Sequence, residues 1–162
     1  MRAALLGIFV LLCSCAHTAD RDRVIDYLSL LYASESGDEM LVGALLQRGA
    51  PANALGPDVA GDLSYMALQR NTPLQAASEK GHEKIVELLI SHGAWLDAQC
   101  CDSQTPMGMA ARNGHFEIVK LLLEAGADPN RRGEGGRPVD VARAAGHAKV
   151  VKLLESAAIR SK

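Results

Sequence analysis

The chain has 162 residues, of which 48% are hydrophobic, and its formal net charge at pH 7 is −2. This length is typical of one domain, and the nearly balanced charge without clustered Lys and Arg argues against nucleic acid as the main partner.

The first residues have the layout of a secretory signal. Met1 and Arg2 are followed by the uncharged residues Ala3–Leu12 and then by Cys13-Ser14-Cys15-Ala16. A basic start, a short apolar core and a processing site are typical of a signal peptide, whereas a membrane span needs about 20 apolar residues. We therefore predict a signal peptide over residues 1–14.

The processing site allows two interpretations. The stretch Leu12-Cys13-Ser14-Cys15 resembles a bacterial lipobox. This resemblance implies that Cys15 becomes the lipidated N-terminus, and Ala16 in place of Asp implies sorting to the outer membrane. Cleavage after Ala16 would instead release a soluble periplasmic protein. In both cases the compartment is oxidising, and residues 15–21 are predicted to be a polar tether.

After this segment the sequence repeats with a period close to 33 residues. Gly-His pairs stand at positions 81–82, 114–115 and 146–147, and Gly93 and Gly126 each follow such a glycine at the same distance. Gly37 and Gly49 have that separation too and mark an earlier, degenerate copy. Four copies make a repeat architecture the natural prediction.

Each copy is predicted to be a pair of short helices. Thr105 can cap a first helix with Pro106 at its first position, and Gly114 can end it in the left-handed conformation. Apolar residues at helical spacing within positions 118–123 predict a second helix, which Gly126 closes. Helices this short are marginal in water, so each pair must bury its apolar stripe against its neighbours.

Thr-Pro, Gly-His and Gly-Ala-Asp at this period resemble the ankyrin repeat. The resemblance covers roughly Leu28–Ser156 and implies an all-α solenoid of helix-turn-helix repeats joined by hairpin-like finger loops. It implies about four repeats in residues 22–158, with an insertion at residues 54–71 and a frayed tail at residues 159–162. The terminal copies are expected to be atypical caps, because one of their faces meets water.

The histidines are predicted to be structural. His82, His115 and His147 recur once per repeat, which predicts hydrogen bonds to nearby backbone and not a metal cluster. The family's histidine after Thr-Pro-Leu is absent. Its place is taken by Gln75, Gly108 and Asp140. We therefore expect a weaker bonding network at these three positions.

Cys100 and Cys101 are the residues with unusual reactivity. Adjacent cysteines can form a strained and labile disulfide, pair with another chain or bind a thiophilic metal, but two ligands are at most half of a tetrahedral site. A loop disulfide or packed thiols without a catalytic duty are the plainer interpretation. Since no nucleophile or phosphate-loop motif is present, the sequence predicts no enzyme, no resident metal and no cofactor.

The resemblance also implies a partner-binding surface at the ends of the first helices and the tips of the finger loops. The residues that it designates are Glu35, Tyr65, Met66, Glu79, Lys80, Trp95, Asp102, Arg112, Asn113, Arg131 and Arg132. Trp95 either packs against the next hairpin or anchors an interface, where Trp is enriched. The insertion around Tyr65 and Met66 either binds a partner or folds back over the first two repeats.

The predicted function is a monomeric, non-enzymatic protein–protein interaction module in the bacterial envelope, held to the membrane only by a lipid anchor at Cys15. A sharper version is an immunity or inhibitor lipoprotein that blocks a periplasmic toxin, and another is an accessory protein of an envelope enzyme. The rival from a different class is a thiol-redox or metal-handling protein that uses Cys100 and Cys101.

Overall fold

A computed structural model describes residues 18–53, 71–99, 104–133 and 135–160. In these ranges the chain forms eight helices and no β-strand: α1 (Thr18–Ser36), α2 (Glu39–Gln47), α3 (Pro73–Lys80), α4 (Glu83–Ser91), α5 (Pro106–Asn113), α6 (Phe116–Glu124), α7 (Pro138–Ala144) and α8 (Ala148–Arg160). None of these helices combines the length and the apolar character needed to cross a bilayer.

The first helices of the middle repeats begin and end where the local rules place them. Thr105 Oγ1 accepts a hydrogen bond from Gly108 N at 3.0 Å, and Pro106 occupies the first helical turn. The helix ends at Gly114, whose φ is +76°. Thr72, Pro73 and Gly81 do the same for α3. These residues satisfy backbone groups that a helix end leaves without intrahelical partners.

The helices stack in two layers. The first helices α1, α3, α5 and α7 pack side by side, the second helices α2, α4, α6 and α8 form the other layer, and each pair is joined by a tight turn. One leucine position of the second helix is buried in all four repeats, as Leu45, Leu89, Leu122 and Leu154. The core is therefore continuous along the stack, as the predicted all-α solenoid requires.

Two helices extend past the predicted boundaries of the repeat domain. The helix α1 begins at Thr18, inside the predicted tether 15–21, and α8 continues to Arg160, inside the predicted frayed tail 159–162. The buried residues Val24 and Tyr27 lie further along α1, within the predicted repeat domain. Packing of such an apolar face stabilises a short helix more than local propensity does. Residues 54–70 of the predicted insertion lie outside the described ranges.

Loops after the second helices are tied from one repeat to the next. Asn53 donates from Nδ2 to Gly93 O at 2.9 Å and accepts from Trp95 N at 2.6 Å. Asp97 has the same place one repeat later, and its carboxylate accepts from Asp128 N at 3.2 and 3.3 Å. These bonds fix the spacing of successive loops.

The last repeat ends in charge pairs. Arg137 donates from its backbone N and from Nε to Asp140 Oδ2, at 3.3 and 3.0 Å. Arg143 lies 3.6 Å from Asp140 Oδ1 and donates to Glu155 Oε1 at 2.8 Å. The hydrogen bonds from Arg137 hold the pKa of Asp140 below its ordinary value. A polar outer face is what a terminal repeat needs in water.

Replacing Ser78 by alanine should leave stability unchanged or raise the free energy of unfolding by about 1 kcal/mol. The hydroxyl of Ser78 is fully buried and has no hydrogen-bond partner, so its desolvation is uncompensated. Repeat three carries Ala111 at this position, also fully buried. Urea denaturation followed by circular dichroism would measure the change, and a loss above about 1 kcal/mol would contradict the argument.

Candidate partner-binding surface

Gly-His turns line one edge of the stack, which we call the turn edge. The three histidines bridge neighbouring repeats: His82 Nε2 lies 3.3 Å from Glu35 O, His115 Nε2 lies 3.0 Å from Glu79 O, and His147 Nε2 lies 3.0 Å from Arg112 O. The predicted bonding of each imidazole to backbone is confirmed. Because each bond joins consecutive repeats, the turns are held in a fixed row.

The glycine of each turn leaves room for the histidine of the next. A Cβ added to Gly114 would lie 2.6 Å from His147 Nδ1, which is closer than real Cβ atoms come to other heavy atoms. Gly81 has the same relation to His115, and Gly37 to His82. The glycine therefore serves both the left-handed backbone and the approach of the imidazole ring.

Five of the predicted binding residues lie together on the turn edge. Glu35, Lys80 and Arg112 are exposed there, and Glu79 is half-buried. Asn113 is exposed as well, but its Nδ2 donates to Glu79 O at 2.9 Å. Asn113 thus has a structural role between repeats that the sequence did not indicate. Glu79 accepts a hydrogen bond from Asn71 Nδ2 at 3.4 Å, and Glu35, Lys80 and Arg112 present their side chains in a row.

The remaining described binding residues lie at the opposite end of the helices, which we call the loop edge. Trp95 follows α4, and its side chain is 58% exposed, so most of the indole is open to a partner. Arg131 and Arg132 are exposed in the loop after α6, where Gln99 Nε2 donates to Arg132 O at 2.5 Å. A nine-residue helix separates the two edges by about 13 Å.

Several predicted sites fall outside the described ranges. These are the lipidation site Cys15, the insertion residues Tyr65 and Met66, and the loop residues Cys100, Cys101 and Asp102. Their assignments stay predictions.

The comparison with protein families agrees with the row of turns. The family model described as "Ankyrin repeats (3 copies)" matches residues 30–133 and residues 96–161. The chain belongs to the ankyrin-repeat family. Ankyrin repeats are generally protein–protein interaction modules and typically have no enzymatic activity. The search of curated proteins found no significant match.

The prediction of a weaker bonding network at Gln75 in this ankyrin-repeat protein is wrong. Gln75 is fully buried. Its Oε1 accepts from Thr72 N at 2.7 Å, while its Nε2 donates to Gln104 O at 2.6 Å and to Ala98 O at 3.2 Å. An amide offers an acceptor and two donors, so the glutamine bonds both its own helix start and the next loop. Asp140 likewise accepts from Arg137 N, whereas Gly108 has no side chain for this role.

Exposed apolar side chains in repeat one were missing from the predicted site. Ile25, Tyr32 and Leu41 are 49%, 64% and 41% exposed, and Met40 is more exposed still. A comparison of the ankyrin repeats could have found two of them, because Tyr32 aligns with Ala76 and Leu41 aligns with Ile85. A large apolar residue in a terminal repeat, at a position that inner repeats bury, is the usable signal.

Within the ranges that the structure describes, no group of three or more His, Cys, Asp or Glu side chains is placed to hold a metal ion. An open groove lies between α6 and α8, lined by Phe116, Leu123, Leu153 and the aliphatic part of Lys120. It lies in the layer of second helices, away from the row of first helices.

Proposed function

We propose that this ankyrin-repeat protein is a non-enzymatic binding module that engages a folded protein partner in the bacterial envelope. The row of turns supports the proposal, because the histidine bonds hold backbone rigid while Glu35, Lys80 and Arg112 extend from it. A preorganised surface loses little conformational entropy on binding. Neighbouring repeats present such a surface as one continuous face.

Arginines on this surface supply the strongest candidate contacts. Arg112 on the turn edge and Arg131 and Arg132 on the loop edge are exposed, and none of them makes an ion pair with another described residue. A guanidinium free of internal partners can bind a partner's carboxylate through two hydrogen bonds. Together with the exposed Trp95, these are residue types that dominate binding energy at interfaces.

Capture of the partner from an envelope extract should fall about tenfold or more with Arg112→Glu and with Trp95→Ala, if each loses a hot-spot contact of about 1.4 kcal/mol or more. The matched control is Lys120→Glu, which makes the same change of charge on α6 in the same repeat, at the groove between α6 and α8 and away from the turn edge. Quantitative mass spectrometry of the captured proteins gives the readout. Equal capture by all three variants and the natural chain would show that the interface lies elsewhere.

We propose that the module is exported and anchored by a lipid on Cys15, facing the periplasm. The support is the sequence: an apolar segment after Arg2, followed by a stretch that resembles a lipobox. Cys15→Ser should abolish labelling by a fatty-acid analogue in a bacterial host that lipidates exported proteins. Ser14→Ala is the control and should keep the label. Labelling that persists in Cys15→Ser would refute the anchor.

The thiol-redox rival depends on Cys100 and Cys101. Under the proposed function, changing both residues to serine leaves partner capture unchanged, because the candidate contacts lie on other residues. The redox alternative would be favoured if the double variant lost partner capture, and if an oxidant restored capture by the natural chain but not by the double variant.

A further inference from the structure

Apolar residues are exposed on the N-terminal face of the stack. This face consists of Ile25 and Tyr32 on α1 and Leu41 on α2. Ile25 and Tyr32 are seven residues apart, so they lie on the same side of the helix. Their exposed fractions are 49% and 64%, which is high for large apolar side chains in a packed repeat.

Comparison among the repeats shows why this face is exposed. Tyr32 corresponds to Ala76 and Met109, which are 4% and 6% exposed, since each stands five residues before the glycine of its turn. Leu41 is the third residue of α2, and the third residues of α4 and α6 are fully buried. Positions that inner repeats bury are thus open in repeat one, because no described repeat packs against this side of it.

The opposite end of the stack does not share this property. Ser34, Ser78 and Ala111 are buried three residues before the glycine of their turn, whereas the corresponding residue of repeat four, Arg143, is exposed. Arg143 pairs with Glu155 and lies near Asp140. The C-terminal face of the stack is therefore covered by charged groups, while the N-terminal face presents apolar side chains. Exposure of those apolar side chains to water is unfavourable.

The short chain between Cys15 and α1 bears on what covers the N-terminal face. Only Ala16 and His17 separate Cys15 from Thr18, the first residue of α1, so the Cα atoms of Cys15 and Thr18 are at most about 11 Å apart. Ile25 lies about 10 Å along the helix from Thr18, and Tyr32 about 10 Å further. If Cys15 carries lipid, this face is within reach of the headgroups at all times.

We propose that the N-terminal face rests on the lipid bilayer, so that the stack stands on repeat one with its charged C-terminal face away from the membrane. The inference rests on the proposed lipidation of Cys15. The lipid holds the face at a high effective concentration near the surface, so three apolar contacts suffice to set orientation. Tyrosine suits this place, because its ring is apolar and its hydroxyl reaches water at the membrane interface.

Tryptophan fluorescence tests this orientation. Trp95 is the chain's single tryptophan and is 58% exposed, close to the 64% of Tyr32. The full chain is made in a lipidating host and placed in vesicles of phosphatidylethanolamine and phosphatidylglycerol that contain a phospholipid brominated near the headgroup. The test variant combines Trp95→Phe with Tyr32→Trp, and the natural chain with its own Trp95 is the control.

We expect the introduced tryptophan to be quenched severalfold more than Trp95 and to emit at shorter wavelength in vesicles than in detergent-free buffer. Equal quenching at both positions, or quenching at neither, would overturn the proposed orientation. Intact-mass measurement separates this from the anchor: protein without acyl chains overturns both proposals, whereas acylated protein without quenching overturns only the orientation.

A second copy of the chain is the competing occupant of this face. Sedimentation of the Cys15→Ser protein in the absence of lipid decides the point. A monomer with or without Tyr32→Glu is the expected result. A dimer that Tyr32→Glu dissociates would assign the N-terminal face to self-association and overturn the bilayer as its occupant.

Discussion

Replacing Gln75 by leucine should lower the free energy of unfolding by about 3–5 kcal/mol. The leucine has a similar volume, so the loss comes from hydrogen bonds and not from a cavity. Thr72 N loses its acceptor, and the carbonyls of Gln104 and Ala98 lose their donor. These groups are buried or half-buried, and an unsatisfied buried polar group costs about 1–3 kcal/mol. Urea denaturation of the full chain, followed at 222 nm, gives the value.

Two variants make this measurement specific. Gln75→His introduces the residue that ankyrin repeats have at this position, and we expect it to cost less than the leucine because an imidazole again offers an acceptor and a donor. Gln47→Leu makes the same chemical change at an exposed site at the end of α2 and should stay within about 0.5 kcal/mol. A loss below about 1 kcal/mol in Gln75→Leu would show that water replaces the network.

Replacing Gly114 by alanine should destabilise the protein by about 3 kcal/mol. About 1–2 kcal/mol comes from placing an L-residue at φ +76°. The remainder comes from the new Cβ, which would lie 2.6 Å from His147 Nδ1 and must displace the ring or the turn. The bond from His147 Nε2 to Arg112 O would be strained as a result. Thermal or urea unfolding measures the total.

Gly126 provides the control for the free-energy cost of the left-handed backbone conformation. Its φ is +98°, but a Cβ there would meet nothing within 4 Å, so Gly126→Ala should cost only about 1–2 kcal/mol. The difference between the two alanine variants measures the contact of glycine with histidine. In a His147→Ala background this difference should shrink towards zero. A difference that persists without the imidazole would contradict the proposed cause.

Local rules let the sequence predict the repeats themselves. Thr105 and Pro106 start α5 and Gly114 ends it because caps, fixed proline φ and left-handed glycine act over one helical turn. The histidine bonds were predictable too, because the Gly-His pair recurs with the period and places each imidazole against the preceding turn. The family resemblance designated the five residues of the turn edge, and the period places them at the same two positions of each repeat.

Tertiary structure decided what depends on neighbours distant in the chain. Gln75 bonds residues 23 and 29 positions away, so its residue type suggested a lost histidine, while its surroundings supply a replacement network. The start of α1 at Thr18, before the predicted start of the repeat domain, was likewise not marked by the local sequence.

Tertiary structure also decided which side chains are exposed to water. Tyr32 and Ala76 occupy the same position of the repeat, yet one is 64% exposed and the other 4%. The period fixes the position of a side chain within its repeat, because the helix geometry is the same in each copy. Whether that side chain meets water depends on what packs across it, and no described repeat packs across Tyr32.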